Sequence, residues 1–325
     1  MKRILSFTLF IFWTIALMAN PPYPPDSSRS NEVSDTVSYW KLAATGMLNL
    51  NQVAYANWAE GGESNVAGNT VGSAKANYLK DGFKADNFIN LAYGITWNNE
   101  QGIRKTDDKL DVGTTIGYEA VENWFYSIML NLKTQFGPGY KYPNDSTLVS
   151  DFMSPGRLFL SMGMEYKPDE RTSVFISPAS GKFIFVMNQE LADQGAYGVR
   201  PAETDTAGNI IVPGLNYQPR FGLNLVVTLN REIMKNVNMD TKLNLHNNYM
   251  DEVIENRWNF DVDWETALNF KINSFLSSMI YLHLMYDNDI NLPTYEYIEG
   301  ERIETGQGPK LQMKENFGIG VMIKV

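Results

Sequence analysis

The sequence predicts an all-β fold, a transmembrane antiparallel up-and-down β-barrel of about twelve strands. The first observation is the alternation of apolar and polar residues over about fourteen positions at residues 258–271. A period of two indicates a strand whose faces lie in different surroundings, and this run exceeds the usual length of about five or six residues. The second observation is that such runs recur along the chain. The third is that short and long connections alternate between them, as in outer-membrane barrels.

Twelve segments show the alternation. They cover residues 40–55, 70–79, 84–97, 109–118, 124–136, 157–166, 172–187, 220–229, 238–249, 258–271, 275–287 and 311–325. Residues 177–181 interrupt the seventh segment, because Pro178 cannot donate a hydrogen bond to a neighbouring strand. This segment is either one bulged strand or two short strands. A single bulged strand keeps both an even count and the alternation of connection lengths, so we prefer twelve.

The connections predict the orientation of the barrel. Residues 80–82, 120–123, 167–170, 231–236 and 272–274 form short connections, whereas residues 138–156, 188–219 and 289–309 form long ones. Bacterial barrels have short periplasmic turns and longer extracellular loops. Aromatic residues near the strand ends predict girdles at the two membrane interfaces: Trp40, Trp97, Tyr118, Trp124, Tyr166, Tyr249 and Trp258. A secreted β-sandwich is the alternative, but its strands would usually be shorter.

The N-terminal residues predict export. Lys2 and Arg3 precede an apolar stretch that ends at Ala19, which is the pattern of a signal peptide over residues 1–19. A membrane-anchor helix is the alternative, but the stretch is short and proline follows at once. Residues 20–38 are rich in Pro, Ser and Asp and are predicted to be a disordered lead-in to a single barrel domain at residues 39–325. The predicted location is the outer membrane of a Gram-negative bacterium, after cleavage of the signal peptide.

Composition narrows the function classes. The chain has no cysteine, which excludes disulfides and a thiol nucleophile. No later segment has eighteen consecutive apolar residues, so none is predicted to be a helical membrane span. The net charge of −10 without a basic tail argues against nucleic acid as a partner. The expected partners are outer-membrane lipid and an envelope protein.

Extending the alternation predicts which charged side chains face the lumen. The main candidates are Lys133, Arg157, Arg220, Lys242, His246, Asp261, Asp263, Glu265 and His283. Three carboxylates, Asp261, Asp263 and Glu265, occupy successive inward positions of one strand. Such groups can pair across a partly filled lumen, or line a small wet pore that selects solutes.

The two histidines raise an enzyme hypothesis. His246 and His283 lie two strands apart, with Asp261 and Asp263 on the strand between them. A His–Asp pair could activate water, and two histidines with a carboxylate could bind a metal ion. The sequence has no Gly-x-Ser-x-Gly elbow, no His-Glu-x-x-His pair and no phosphate-binding loop. We therefore expect no enzyme, with no catalytic residue, metal site or cofactor.

The first long loop is a second candidate surface. Asn57, Trp58, Gly61 and Gly62 follow the first predicted strand. Glycines that supply tight turns indicate a capping loop folded inward. An exposed tryptophan would instead anchor a partner protein.

Short motifs add a family resemblance. They are Asn-Trp-x-x-Gly-Gly at residues 57–62, Lys-Thr-Asp-Asp at 105–108, Lys-Thr-Gln-Phe at 133–136, Ser-Asp-Phe at 150–152, Ser-Pro at 154–155 and 177–178, and Tyr-Gly-Val at 197–199. Together they resemble an uncharacterised family of Bacteroidota outer-membrane β-barrels over about residues 39–325. The resemblance implies location and architecture, but no reaction.

The leading functional hypothesis is a narrow channel or translocator for small polar solutes. The alternative is a non-conducting structural or accessory barrel in an envelope protein assembly. A barrel hydrolase is the third.

Overall fold

The computed structural model describes residues 39–53, 64–98, 100–298 and 301–324. Twelve antiparallel strands form a closed barrel, as the sequence predicts. They are β1 (Trp40–Val53), β2 (Asn65–Lys80), β3 (Phe83–Asn98), β4 (Gly102–Val121), β5 (Trp124–Thr134), β8 (Gly156–Asp169), β9 (Thr172–Phe185), β12 (Tyr217–Met234), β13 (Val237–Asn247), β14 (Phe260–Lys271), β15 (Leu276–Tyr286) and β18 (Gln312–Lys324). The first and last strands close the barrel, with Thr45 opposite Lys324.

Short strands and a short helix lie in the connections at one end of the barrel. Three two-stranded hairpins are formed by β6 (Gly139–Tyr140) with β7 (Leu148–Ser150), β10 (Glu203–Thr204) with β11 (Ile210–Val212), and β16 (Asn291–Ile298) with β17 (Glu301–Pro309). The α-helix α1 (Gln189–Asp193) follows β9. Within the described ranges, no helix has the length and apolarity needed to span a membrane.

The interrupted seventh segment is one bulged strand, as predicted. On one side β9 skips from Ile176 to Ala179 in its pairing with β8, and on the other side it skips from Ser177 to Ser180 against β12. Pro178 therefore lies in the bulge, where its missing N–H breaks no ladder bond. The hydroxyl of Ser177 donates to the Met162 carbonyl at 2.8 Å and ties the bulge to β8.

Some predicted strand limits are wrong. Trp258 lies in a 3-10 turn (Ile254–Trp258), is 83% exposed, and precedes β14 rather than beginning it. Tyr249 likewise lies beyond the end of β13. In contrast, β4 and β12 extend well past their predicted limits of 109–118 and 220–229. Ladder hydrogen bonds continue beyond the apolar band, where the side-chain pattern gives no signal.

The two ends of the barrel differ, as the connection lengths predict. The turn end carries the tight connections, two of which place Asp81 and Asn123 in the left-handed backbone region (φ 50° and 65°). Short turns favour residues that tolerate this conformation. The loop end carries the longer connections at residues 135–155, 186–216, 248–259 and 287–311.

Burial is inverted relative to a soluble protein. Large apolar side chains such as Ile116, Ile128 and Leu160 are about half exposed on the outside, whereas Lys84, Asp111 and Arg220 are at most 2% exposed inside. A closed sheet with an apolar outer surface and a polar interior is the architecture of an outer-membrane β-barrel. At the turn end, aromatic pairs strengthen the predicted girdle, with ring centroids 5.1 Å apart for Trp40 and Tyr78 and 5.0 Å apart for Trp124 and Tyr166.

The connection at residues 186–216 folds as a small cap at the loop end. Its apolar core consists of Ile184, Val186, Leu191, Ala192 and Val199. The Asn188 side chain caps α1 by accepting a hydrogen bond from the Leu191 N–H at 3.3 Å. This small core holds the cap in a defined structure at the loop end.

Candidate functional site in the barrel lumen

The carboxylates of β14 form the centre of the lumenal charge network. Asp263 and Glu265 are two residues apart and therefore point to the same face of the strand. The ammonium group of Lys133, on β5, donates to Asp263 Oδ2 at 2.6 Å and to Glu265 Oε1 at 2.9 Å. Lys109, on β4, also pairs with Glu265. We call Lys109, Lys133, Asp263, Glu265 and His283 the central cluster.

These pairs connect opposite walls of the barrel. In the closed sheet, β4 and β14 are separated by five strands in either direction. The pair between Lys109 and Glu265 therefore spans the lumen along a diameter. Lys242, on β13, extends the same contact between walls, with its ammonium group 4.0 Å from Asp111 on β4 and 4.7 Å from the Phe88 ring centre. The lumen is crossed at its middle by side-chain ion pairs.

His283 completes the central cluster. It lies opposite Glu265 in the β14–β15 register, and its Nε2 is 2.9 Å from Asp263 Oδ1. Asp263, Glu265 and His283 place three ligand atoms within 4.8 Å of one another, an arrangement that could hold a metal ion. However, the Lys133 ammonium already binds both carboxylates, and Tyr281 OH donates to Glu265 at 3.0 Å. The positive charge beside these carboxylates is therefore supplied by the Lys133 ammonium group, which occupies the place that a metal ion would take.

A second cluster lies nearer the loop end and includes residues that the sequence analysis missed. Lys182 donates to Asp261 at 2.6 Å and to Asp287 at 2.9 Å. Arg220 is 3.2 Å from Asp287 and 2.9 Å from Asp289. Lys182 was missed because it follows the bulge, where the alternation breaks. Asp287 was missed because it lies just beyond the end of β15.

Loop-end residues extend this cluster into the cap. The ring centre of Tyr197 lies 6.0 Å from the Arg157 guanidinium, and its hydroxyl donates to the Val149 carbonyl at 2.5 Å. Burial raises the pKa of Tyr197 above its ordinary value. Burial also raises the pKa of Asp289, although Arg220 opposes this effect.

Arg157 connects the lumen with the cap, because it lines the cavity beside Lys182 and Asp287 and contacts the ring of Tyr197 in the cap.

A third cluster occupies the turn end. Lys84, 2% exposed, pairs with Glu165 and lies 3.0 Å from Asp86. Lys167 binds the same Asp86 carboxylate at 2.5 Å. Ion pairs therefore occur at three levels of the lumen, and Lys84 and Lys167 were not among the predicted lumenal residues.

The two histidines do not form a common site. His246 lies opposite Asp261 in the β13–β14 register, but that carboxylate binds Lys182. The His246 ring instead packs edge-on against Phe159, with centroids 5.7 Å apart. His283 belongs to the central cluster. The hypothesis of a His246–His283 metal site therefore has no geometric support among the described residues.

Several of the family-like motifs meet at the loop end. Lys105 donates to Asp108 at 2.8 Å and to the Gly137 carbonyl at 2.7 Å, and Asp108 accepts from the Phe136 N–H at 2.7 Å. Gln135 donates to the Asp151 carbonyl at 2.7 Å. Hydrogen bonds from these motifs thus hold the loop-end connections in place. Asn57, Trp58, Gly61 and Gly62 lie outside the described residues, so the first-loop contact site stays a prediction.

Residues 50–140 match the model of a family described as "Protein of unknown function (DUF3078)". The resemblance to an uncharacterised family is confirmed for this part of the chain, while the Bacteroidota assignment and the Asn-Trp-x-x-Gly-Gly motif stay predictions. No curated protein matches the chain.

Solved structures with a similar shape are outer-membrane proteins. The COG4313 outer membrane channel from Pseudomonas putida F1 is 12% identical, with a TM-score of 0.35 over 93% of this chain and 99% of that one. The NanC porin is 9% identical, with a TM-score of 0.34 over 87% of this chain and 100% of that one. The translocator domain of the autotransporter NalP from Neisseria meningitidis is 7% identical, with a TM-score of 0.30 over 89% of each chain. At these values, the similarity carries no information about what this chain transports or binds.

Proposed function

We propose that this protein is an outer-membrane barrel whose lumen is held closed by ion pairs between its walls, and that it serves as a non-conducting structural or accessory component of the envelope. The observation that carries the proposal is the contact of Lys133 and Lys109, on β5 and β4, with Asp263 and Glu265 on β14. We further propose that the chain is exported and that residues 1–19 are removed on the way.

The chemistry of the central cluster favours a closed lumen. The exposed fractions of the Lys133 and Glu265 side chains are 10% and 13%, so water screens their attraction only partly. A hydrated ion at this level would have to separate the pairs or pass beside fixed charges of both signs. Opening the lumen would separate such a pair and leave each charge without its partner. Leaving a buried charge uncompensated is costly, so opening is unfavourable.

A gated narrow channel for small polar solutes is the second candidate. One observation favours it: the cross-lumen contacts are made by side chains, which can separate while the barrel wall stays intact. Charged side chains in a pore wall also provide selectivity when water fills the pore. A hydrolase is not favoured, because Asp263, the partner of His283, is already bound to Lys133.

Ion conductance in a planar bilayer tests the proposal. We expect the wild-type protein to show no steady current. We expect Lys109→Met with Lys133→Met to create one, because two of the side chains that pair across the lumen lose their charge and no longer bind Asp263 and Glu265. Lys41→Met is the matched control, since Lys41 also pairs with a carboxylate, Glu170, but its side chain is 70% exposed.

The outcomes separate the candidates. A steady wild-type current that is unchanged in the double variant would contradict the closed lumen. Discrete opening and closing of the wild-type protein, with a longer open time in the double variant, would favour the gated channel. Folding of each variant is checked by the shift in electrophoretic mobility on heating.

A further inference from the structure

His246 is a buried polar residue that takes no part in the ion pairs described above. It is 1% exposed and lies on β13, opposite Asn224 of β12 and Asp261 of β14. The Asp261 carboxylate accepts a hydrogen bond from Lys182, and Phe159 covers the imidazole edge-on. The imidazole thus lies inside the barrel wall without joining a charged pair.

Four buried polar atoms around this residue have no hydrogen-bond partner in the part of the chain that the structure describes. They are both ring nitrogens of His246 and the side-chain oxygens of Asn224 and Asn244. Asn224 and Asn244 are 0% and 4% exposed. Asn224 is the cross-strand neighbour of His246, and Asn244 lies two residues before it on the same face. Because leaving a buried polar atom without a partner is costly, four such atoms on neighbouring positions of two paired strands indicate a bound ligand.

A small cavity adjoins this group. It has a volume of about 20 Å³, and His246 and Asn244 line it together with Arg157, Lys182, Tyr286 and Asp287. A cavity needs roughly 10–15 Å³ to hold one water molecule, and that water needs two to four polar partners. Both conditions are met, whereas no larger solute fits.

We propose that this cavity holds one ordered water molecule that bridges the imidazole of His246 and the side-chain oxygen of Asn244. Water fits this volume and can serve both atoms. It donates one hydrogen to the Asn244 oxygen and pairs with a ring nitrogen, either as donor or as acceptor, according to the tautomer. The internal water thus joins two side chains of β13 in a cavity that Lys182 and Asp287 of the second cluster also line.

The surrounding charges favour a neutral ligand over an ion. Lys182 and Arg157 line the cavity together with Asp261, Asp263 and Asp287. The carboxylates already bind Lys182, Arg220 and Lys133. A cation would meet the two basic groups, and an anion would meet three carboxylates.

Nuclear magnetic resonance of histidine-labelled protein in detergent micelles tests the proposal. The chain contains only two histidines, so ¹⁵N,¹³C-histidine gives two ring systems, and a His283→Gln variant assigns them. We expect the His246 ring protons to show cross-peaks at the water frequency, of opposite sign in NOESY and ROESY spectra. That sign pattern indicates a water bound for longer than the tumbling of bulk water.

Two variants identify the bridge. Tyr286→Phe removes the only hydroxyl among the cavity-lining side chains that could relay exchange with water, and we expect the cross-peaks to persist. Asn244→Leu keeps the approximate side-chain size and removes one partner, and we expect them to disappear. Wild-type protein without these cross-peaks would overturn the proposal, as would cross-peaks that are lost in Tyr286→Phe or unchanged in Asn244→Leu. If Asn244→Leu fails to fold, Asn244→Asp, which keeps the accepting oxygen, should retain the cross-peaks, and their loss would overturn the bridge.

Discussion

The ammonium group of Lys133 on β5 lies 2.6 Å from Asp263 Oδ2 on β14, almost directly across the barrel. Four strands separate β5 from β14 on one side of the closed sheet and six on the other. The carboxylate stripe of β14 is therefore one half of an ion-pair network. The other half comes from Lys109, Lys133 and Lys182, which are 156, 130 and 79 residues away from their carboxylate partners along the chain.

Neutralising the stripe should destabilise the barrel. The change Asp261→Asn, Asp263→Asn and Glu265→Gln leaves Lys133 without a carboxylate partner and removes one partner from Lys182. Breaking a buried ion pair costs about 3–5 kcal/mol, and we expect about 3 kcal/mol because the Asp263 side chain is a fifth exposed. Denaturant unfolding in detergent measures the change.

A control removes carboxylates from exposed pairs at the turn end. Asp169→Asn and Glu170→Gln break contacts with Arg231 and Lys41, whose side chains are 45% and 70% exposed. Such exposed pairs contribute little to stability. Equal losses in the two sets of variants would contradict a stabilising role of the central cluster.

The two faces of β14 should respond differently to substitution. Val262 lies between inward Asp261 and Asp263 and therefore faces lipid. Val262→Arg should cost about 2–4 kcal/mol near the bilayer midplane. Asp261→Asn should cost much less, because Lys182 keeps Asp287 at 2.9 Å. Folding equilibria in lipid vesicles measure both changes. Equal costs would contradict the assignment of Val262 to the lipid face and of Asp261 to the lumen.

Epitope tags should report the orientation of the barrel. A tag near Ala207, in the exposed β10–β11 connection of the loop end, should be reached by antibody on intact cells. A tag at Gly82, in a tight turn between β2 and β3, should be detected only after the outer membrane is breached. A tag near Gly300, which lies outside the described residues and is predicted to be external, should be reached on intact cells like the tag near Ala207. The reverse labelling would show that the loop end faces the periplasm.

Asp289 should give a pH dependence of stability at the loop end. Burial raises the pKa of this carboxyl above 3.8, with Asp287 and Asp261 adding to the effect and Arg220 opposing it. The folded state then holds the proton more tightly than the unfolded state. The contribution of Asp289 to the stability of the protein is therefore lost as the pH rises just above 3.8. Relative to Asp289→Asn, the wild-type protein should gain stability as the pH falls through that window. Parallel unfolding midpoints of the two proteins from pH 7 to 3.5 would show that Asp289 does not contribute.

Much of the fold follows from local pattern. The alternation at residues 260–271 predicts which side chains of β14 face lipid, because successive side chains of any strand point to opposite faces. The ion pairs of Asp261, Asp263 and Glu265 with lysines of other strands agree with the inward half of this prediction. Trp258 shows the limit of this reasoning. It continues the alternation, yet it lies in a turn, because whether a backbone is paired depends on the neighbouring strand.

The sequence by itself determined the twelve-strand barrel, the bulge at Pro178 and the polarity of the lumen, since each depends on residues adjacent in the chain. Only the tertiary structure decided that Lys109 meets Glu265, that Lys182 joins Asp261 to Asp287, and that His246 and His283 lie in separate surroundings. These contacts depend on strand stagger and on how the sheet closes. Both are properties of the whole ring of strands, and no single segment encodes them.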